Sequence, residues 1–263
     1  MRVVFLSLFL LLCSCSGKSG NSSWLNRELP EQKLDFANKN SLLEHFQRGQ
    51  YLVSSLGACG YCHALDLGGR VGQNISSDKE FGIGSWTLEE FIKVIKGGKK
   101  KDGKAISENA HKGMSWISDR DARAIGIYLL SSRPVSRPNV TSAKDMFSKV
   151  KIFDGADTVP GYVVAPKENA NASYGRYITL NLASCASCHG AESDKILSGV
   201  KDQAPSLRKV GSNWSKEQIV QYLTTGKTIK GRQVSAAACP WGYYRYSNIL
   251  DKQAIALFLK TLS

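Results

Sequence analysis

Methionine and histidine are scarce in this chain: its 263 residues hold three of the first and four of the second. The methionines are Met1, Met114 and Met146, so the C-terminal part offers no thioether, and a metal held there must take other ligands. Long apolar runs are also missing. Val3 to Leu12 is an apolar stretch at the N-terminus, too short to span a bilayer as a mature helix. Acidic residues are in deficit, 22 Asp and Glu against 35 Lys and Arg, for a formal charge of +13. That balance points to acidic partners.

Four of the seven cysteines fall in two pentapeptides, Cys59-Gly60-Tyr61-Cys62-His63 and Cys185-Ala186-Ser187-Cys188-His189. The C-x-x-C-H pattern is a haem-attachment signature. Two intervening residues let both sulfurs reach one porphyrin edge, and the following imidazole binds the iron from below. A zinc site would want four clustered ligands, and a redox C-x-x-C pair does not need the trailing histidine. The expectation is two covalently bound haem c groups, with His63 and His189 as proximal iron ligands.

Covalent haem is assembled outside the cytoplasm, so an export signal is expected. Met1-Arg2, the apolar run and Leu12-Cys13-Ser14-Cys15 supply one, and the last four look like a bacterial lipobox with Cys15 as the lipidated residue. Cleavage nearby by an ordinary signal peptidase is the alternative. Acylation at Cys15 would hold the protein at a membrane surface without a spanning helix, and Ser16 favours the outer membrane by Gram-negative sorting rules. Loss of Arg2 leaves a mature charge of about +12. Cys239 is then the one thiol without an assigned role, so no disulfide is expected.

The chain repeats itself. Gly49 and Gly175 each lie ten residues before a haem motif, and each is read as opening a helical segment. Capping signals follow, Thr87-x-x-Glu90 and Ser215-x-x-Gln218. Each leads to a Gly-Lys turn and then to a last apolar-periodic helix, 119–131 and 250–261, bearing Tyr128 and Phe258. The small residue on the first helix would let the last helix cross closely. This is the layout of a class I cytochrome c domain, and the fold expected is all-α, two tandem domains joined by an extended linker. The expected divisions are 1–15 signal and lipobox, 16–40 polar tether, 41–138 first domain, 139–172 linker and 173–263 second domain. Within the linker, Val159 to Pro166 reads as extended and apolar enough to pack across both domains. So small a domain is marginal on its own core, so the apoprotein should fold poorly.

The sixth iron ligands divide the two copies. In the first, Met114 stands just before the last helix, in His111-Lys112-Gly113-Met114-Ser115-Trp116; His111 is the rival ligand, with Met114 then merely core. In the second, the matching place holds Cys239-Pro240-Trp241. A thiolate there would favour ferric iron and a thioether on the first haem ferrous iron, separating the two potentials. An unligated buried thiol beside an open haem is the other reading of Cys239. His45 reads as a surface or core residue.

Asn74-Ile75-Ser76-Ser77-Asp78, Phe81-Gly82-Ile83-Gly84-Ser85-Trp86-Thr87, Glu89-Glu90-Phe91-Ile92, Gly98 and Asp102-Gly103 together resemble the multi-haem cytochrome c subunits of membrane alcohol and aldehyde dehydrogenases and related di-haem cytochromes c. Ala204-Pro205-Ser206-Leu207, Gly226-Lys227 and Cys239-Pro240-Trp241 match more loosely. The resemblance implies that the carbonyl of Pro205 orients His189, that another carbonyl serves His63, and that the protein carries electrons. A dehydrogenase or quinol-side donor would feed a cytochrome or oxidase acceptor, with no catalytic residue of the chain's own. Histidine–cysteine ligation is similar to that of thiosulfate-oxidising haem proteins, which keeps open a sulfur-compound oxidoreductase, and a ligand-swapping redox sensor is a third reading. Lys96, Lys99, Lys100, Lys101 and Lys104 would either steer an acidic redox partner or form a solvated loop; nucleic acid is not an expected partner.

Overall fold

The structure is a computed structural model and describes residues 39–98, 100–102, 106, 111–139, 163–190 and 204–263. The signal segment, Cys15, Lys99, Lys104 and most of the linker lie outside the described residues. Those described are helical; the one β feature among them is an isolated antiparallel bridge between Lys227 and Gln233. No described helix is long and apolar enough to cross a membrane.

In the first half, α1 spans Lys39–Tyr51, a π-helical turn follows at Leu52–Leu56, and α2 is the short helix Gly60–His63. Helix α3 is Leu88–Gly97, a 3-10 turn covers Lys112–Trp116, and α4 is Asp119–Leu130. The second half follows the same order with one added helix, α7, and a short helix, α9, in place of the 3-10 turn: α5 Ala172–Tyr177, a π turn at Ile178–Leu182, α6 Ala186–His189, α7 Leu207–Asn213, α8 Lys216–Thr225, α9 Trp241–Tyr244 and α10 Ile249–Thr261. Both capping boxes form, at Thr87/Glu90 and at Ser215/Gln218. Their helices end on left-handed glycines, Gly98 at φ 68° and Gly226 at φ 69°.

Each half is built on one close crossing. A methyl on Gly49 would lie 1.9 Å from the Ala124 carbonyl oxygen of α4, and one on Gly175 would lie 1.8 Å from that of Ala254 in α10. Backbone thus packs on backbone, which only glycine permits. One expectation needs correction, since neither glycine opens a helix: Gly49 lies in the last turn of α1, which begins at Lys39, and Gly175 is the fourth residue of α5, which begins at Ala172. The crossing fixes where the glycine must be, while the helix start is free to extend upstream, where Phe46 packs on Tyr128 with ring centroids 5.2 Å apart.

The halves meet through a reciprocal pair of tyrosines. Tyr177 of the second half accepts the Ser118 amide at 2.9 Å and donates to the Asp121 carboxylate at 2.7 Å, closing the N-terminus of α4. Tyr51 of the first half accepts the Asn248 amide at 3.0 Å and donates to Asp251, closing the N-terminus of α10. Both aspartates are 1% exposed. Arg48 adds an ion pair to Asp121 at 3.0 Å and another to Glu168 at 3.5 Å. Of the apolar segment expected to pack across both halves, the described part does touch the first, where Asp119 donates its amide to the Val163 carbonyl at 3.1 Å.

Two outcomes follow. Gly175→Val should force α5 from α10 and cost about 1–3 kcal/mol, read by chemical denaturation. Tyr177→Phe leaves the buried Asp121 short of a donor and should cost about 1–3 kcal/mol in the same assay; an unchanged midpoint would remove the tyrosine from the account of how the halves hold together.

Candidate functional site

The two C-x-x-C-H segments have the same local geometry. Each follows a π turn whose end is closed by a backbone bond, Gly57 to Leu52 at 2.7 Å and Ala183 to Ile178 at 2.8 Å. The residue before each first cysteine has a positive φ without being glycine, Ala58 and Ser184 both at 46°. Such strain persists where surrounding structure imposes it, and it clusters at functional sites. The amides of Cys59 and Cys185 then reach back to Val53 at 3.2 Å and Thr179 at 2.8 Å. Burial pushes the thiols of Cys59 and Cys185 up to about 12, and that of Cys188 to about 11.

Both histidines are fixed by a carbonyl. His189 donates its Nδ1 hydrogen to the Pro205 oxygen at 2.7 Å, and His63 donates to the Gln73 oxygen at 2.6 Å. A carbonyl can only accept, so Nδ1 carries the proton and Nε2 keeps its lone pair for a metal. Burial holds His63 at about 4, well below the usual imidazole value, and so neutral. A methyl on Gly72 would fall 2.7 Å from the His63 ring, so the backbone forms a close cradle behind it. Gln73 carries no sequence signal for this role, because its backbone does the work.

Tyr61 of the first half donates its hydroxyl to the Ala237 carbonyl and lies near Cys62 as well as Cys188 and Cys239 of the second half. The two cysteine pairs therefore face a shared zone between the halves. Cys239 sits there with its thiol pushed up by burial, while hydrogen bonds from Tyr222 and the Trp241 amide favour the thiolate. Trp241 fixes this loop, donating its indole N–H to the Val234 carbonyl at 2.9 Å over Gly226, where a methyl would be 2.3 Å from the indole. Its counterpart Trp116 is 45% exposed.

Met114 is buried at 7% exposure. His111, three residues earlier, has its ring centroid 6.1 Å from that of His63. His45 donates its Nδ1 hydrogen to the Ser41 carbonyl of its own helix at 2.8 Å. The lysine cluster is partly spent on internal pairs: Lys96 is buried and bonded to Asp119, and Lys101 pairs with Glu90 at 2.6 Å while lying over the Trp86 ring. Asn74, in the stretch read as family-like, has a structural role. Its side chain donates to the Val135 and Arg137 carbonyls and accepts from Ser76, pinning the loop beyond His63 to the end of the half.

Residues 171–240 match a family model described as cytochrome c oxidase, cbb3-type, subunit III. The chain thus carries a cytochrome c family domain. It is also similar to the fructose dehydrogenase cytochrome subunit of Gluconobacter japonicus, 29% identical with 81% of this chain and 48% of that protein covered. The cytochrome c subunit of the quinone alcohol dehydrogenase of Gluconacetobacter polyoxogenes is 25% identical, with 82% of this chain and 55% of that protein covered. A diheme cytochrome c-type protein of Cereibacter sphaeroides is 23% identical, with 95% of both covered. The chain spans about half the length of the first two. These cytochrome c homologues imply covalently bound haem c, and the residues fit it: paired thiols, an imidazole locked with Nε2 available, and the Gly72 cradle.

Gly72→Ala should push the His63 imidazole off its place. The expected result is a perturbed haem spectrum; an unchanged one would contradict the cradle.

Proposed function

We propose that the chain is an exported electron carrier of two tandem cytochrome c domains, 41–138 and 173–263, each with one haem. Cys59 and Cys62 hold the first, Cys185 and Cys188 the second, with His63 and His189 as proximal ligands. When bound, haem supplies the one-electron couple. The chain's own residues attach it, orient it through the Gln73 and Pro205 carbonyls, and hold the two attachment segments against each other. The observation that carries this reading is the duplicated geometry: the same π turn, the same strained residue and the same carbonyl-locked imidazole occur twice.

Cys239 is the sixth ligand of the second haem, a reading supported by its place before the last helix and its nearness to Cys185 and Cys188. The first haem draws its sixth ligand from the segment 111–116, which holds both Met114 and His111. Relatives named as cytochrome subunits of fructose and alcohol dehydrogenases make a dehydrogenase the natural donor, with a second redox protein as acceptor. Lipidation at Cys15 would keep the carrier at a membrane surface, the outer membrane by the identity of Ser16.

Mass spectrometry of the denatured mature protein should show two haems per chain, and Cys59→Ala/Cys62→Ala should leave one. A redox titration should resolve two waves, and Cys239→Met should raise the potential of one while sparing the other. Should sulfite or thiosulfate reduce the second haem directly, a sulfur-compound oxidoreductase becomes the better description; an unchanged spectrum leaves the carrier.

A further inference from the structure

Large apolar side chains stand in solvent where the two halves meet: Leu65 is 86% exposed, Tyr246 72% and Ile249 59%. A methyl on Gly60 would lie 2.9 Å from the Tyr243 hydroxyl and 3.4 Å from the Leu65 Cα, so both flank the same point of the first cysteine motif. Tyr246 donates its amide to the Tyr243 carbonyl at 3.0 Å. Ile249 opens α10 just after Asn248, whose amide is held by Tyr51 of the first half. Both halves therefore build one seam face. Soluble proteins rarely leave large apolar side chains grouped in this way unless the patch has an occupant.

The charge around this face has one sign. Residues 51–65 and 233–250, which form the seam, contain no acidic residue. The carboxylates next to them in the chain are Asp66, which is paired with Arg137, and Asp251, which is buried. Two arginines remain. Arg70 lies close enough to Tyr61, Cys62 and Tyr243 to act on all three electrostatically. The Arg245 guanidinium lies 6.0 Å from the Trp241 ring centre and 5.7 Å from that of Tyr246. Both arginines are exposed, and neither pairs with a carboxylate among the described residues. Lys96 and Lys101 of the lysine run, by contrast, are bound internally.

We infer that the seam face, centred on Leu65, Tyr243, Tyr246 and Ile249 and rimmed by Arg70 and Arg245, docks an acidic redox protein. The inference rests on the carrier reading proposed above and names where its partner sits. Tyrosine and arginine are enriched at protein interfaces and lysine is depleted, and tyrosine and arginine are the residues on which binding energy concentrates. A membrane-binding face is instead an amphipathic helix with its apolar side continuous; here the apolar groups come from a loop, a turn and a helix start. The face abuts the first cysteine motif, so a partner seated on it lies beside that attachment point.

The test follows electron exchange between the full-length, ascorbate-reduced protein and oxidised plastocyanin, an acidic blue-copper protein, by stopped-flow absorbance over a series of salt concentrations. The wild-type second-order rate constant should fall steeply with salt. Arg70→Glu/Arg245→Glu should lower it about tenfold at low salt and flatten its salt dependence. Arg70→Gln/Arg245→Gln should give a smaller loss in the same direction, and it decides alone if the reversal fails to mature. Tyr246→Ala should slow exchange at high salt as well, because an apolar contact is not screened. Lys99→Glu/Lys100→Glu, with the same change of net charge, should lose far less than the arginine reversal; an equal or greater loss overturns the inference. Binding of the Cys15→Ser protein to phosphatidylglycerol vesicles that Arg70→Gln/Arg245→Gln abolishes, with plastocyanin exchange untouched, assigns the face to lipid and also overturns it. A protein without covalent haem by mass spectrometry, or one exchanging no electrons with plastocyanin at any salt concentration, sinks the carrier reading and the docking face together. A haem-bearing protein whose exchange ignores both arginines sinks the docking face alone.

Discussion

Each half of the chain closes the last helix of the other with a tyrosine, and the placement of both cysteine motifs depends on that exchange. Tyr51 and Tyr177 perform one task each: to accept the amide at a helix start and to donate to the carboxylate just inside it. Those aspartates are almost fully buried, and a buried carboxylate without donors is costly. The tyrosines also stand directly before the π turns that lead into the motifs. A fixed tyrosine therefore means a fixed π turn, and a fixed π turn sets the cysteines that follow.

The same economy governs the loops beyond each motif. The segment bearing His111 and Met114 leans on Leu180, Asn181 and Ser184 of the opposite half. The loop bearing Cys239 leans in turn on Tyr61, through the Ala237 carbonyl, and Tyr243 crowds Gly60. Each candidate sixth ligand thus sits on a segment that also leans on the half that does not own it.

Much of this was legible in residue order. The haem motifs, the two capping boxes and the last helices stood in local patterns, and the helices at Asp119–Leu130 and Ile249–Thr261 lie within a residue of the ranges read from periodicity. The glycine crossings were legible because only a residue without Cβ tolerates such contact. What was hidden depends on backbone or on distance in the chain. The Gln73 carbonyl could be any residue's; the π turns have no composition signal; and Tyr51 and Asp251 are 200 positions apart. The lysine run was legible only in part. Charge counts cannot show that Lys96 is buried on Asp119 or that Lys101 is taken by Glu90.

The exchange of tyrosines has the character of an isologous contact, in which the same patch appears on both sides. Within one chain such a contact does not have to be strong. A connecting segment of a few dozen residues keeps the partners at an effective concentration on the order of millimolar, so a handful of buried hydrogen bonds suffices where two separate proteins would need a wide apolar surface.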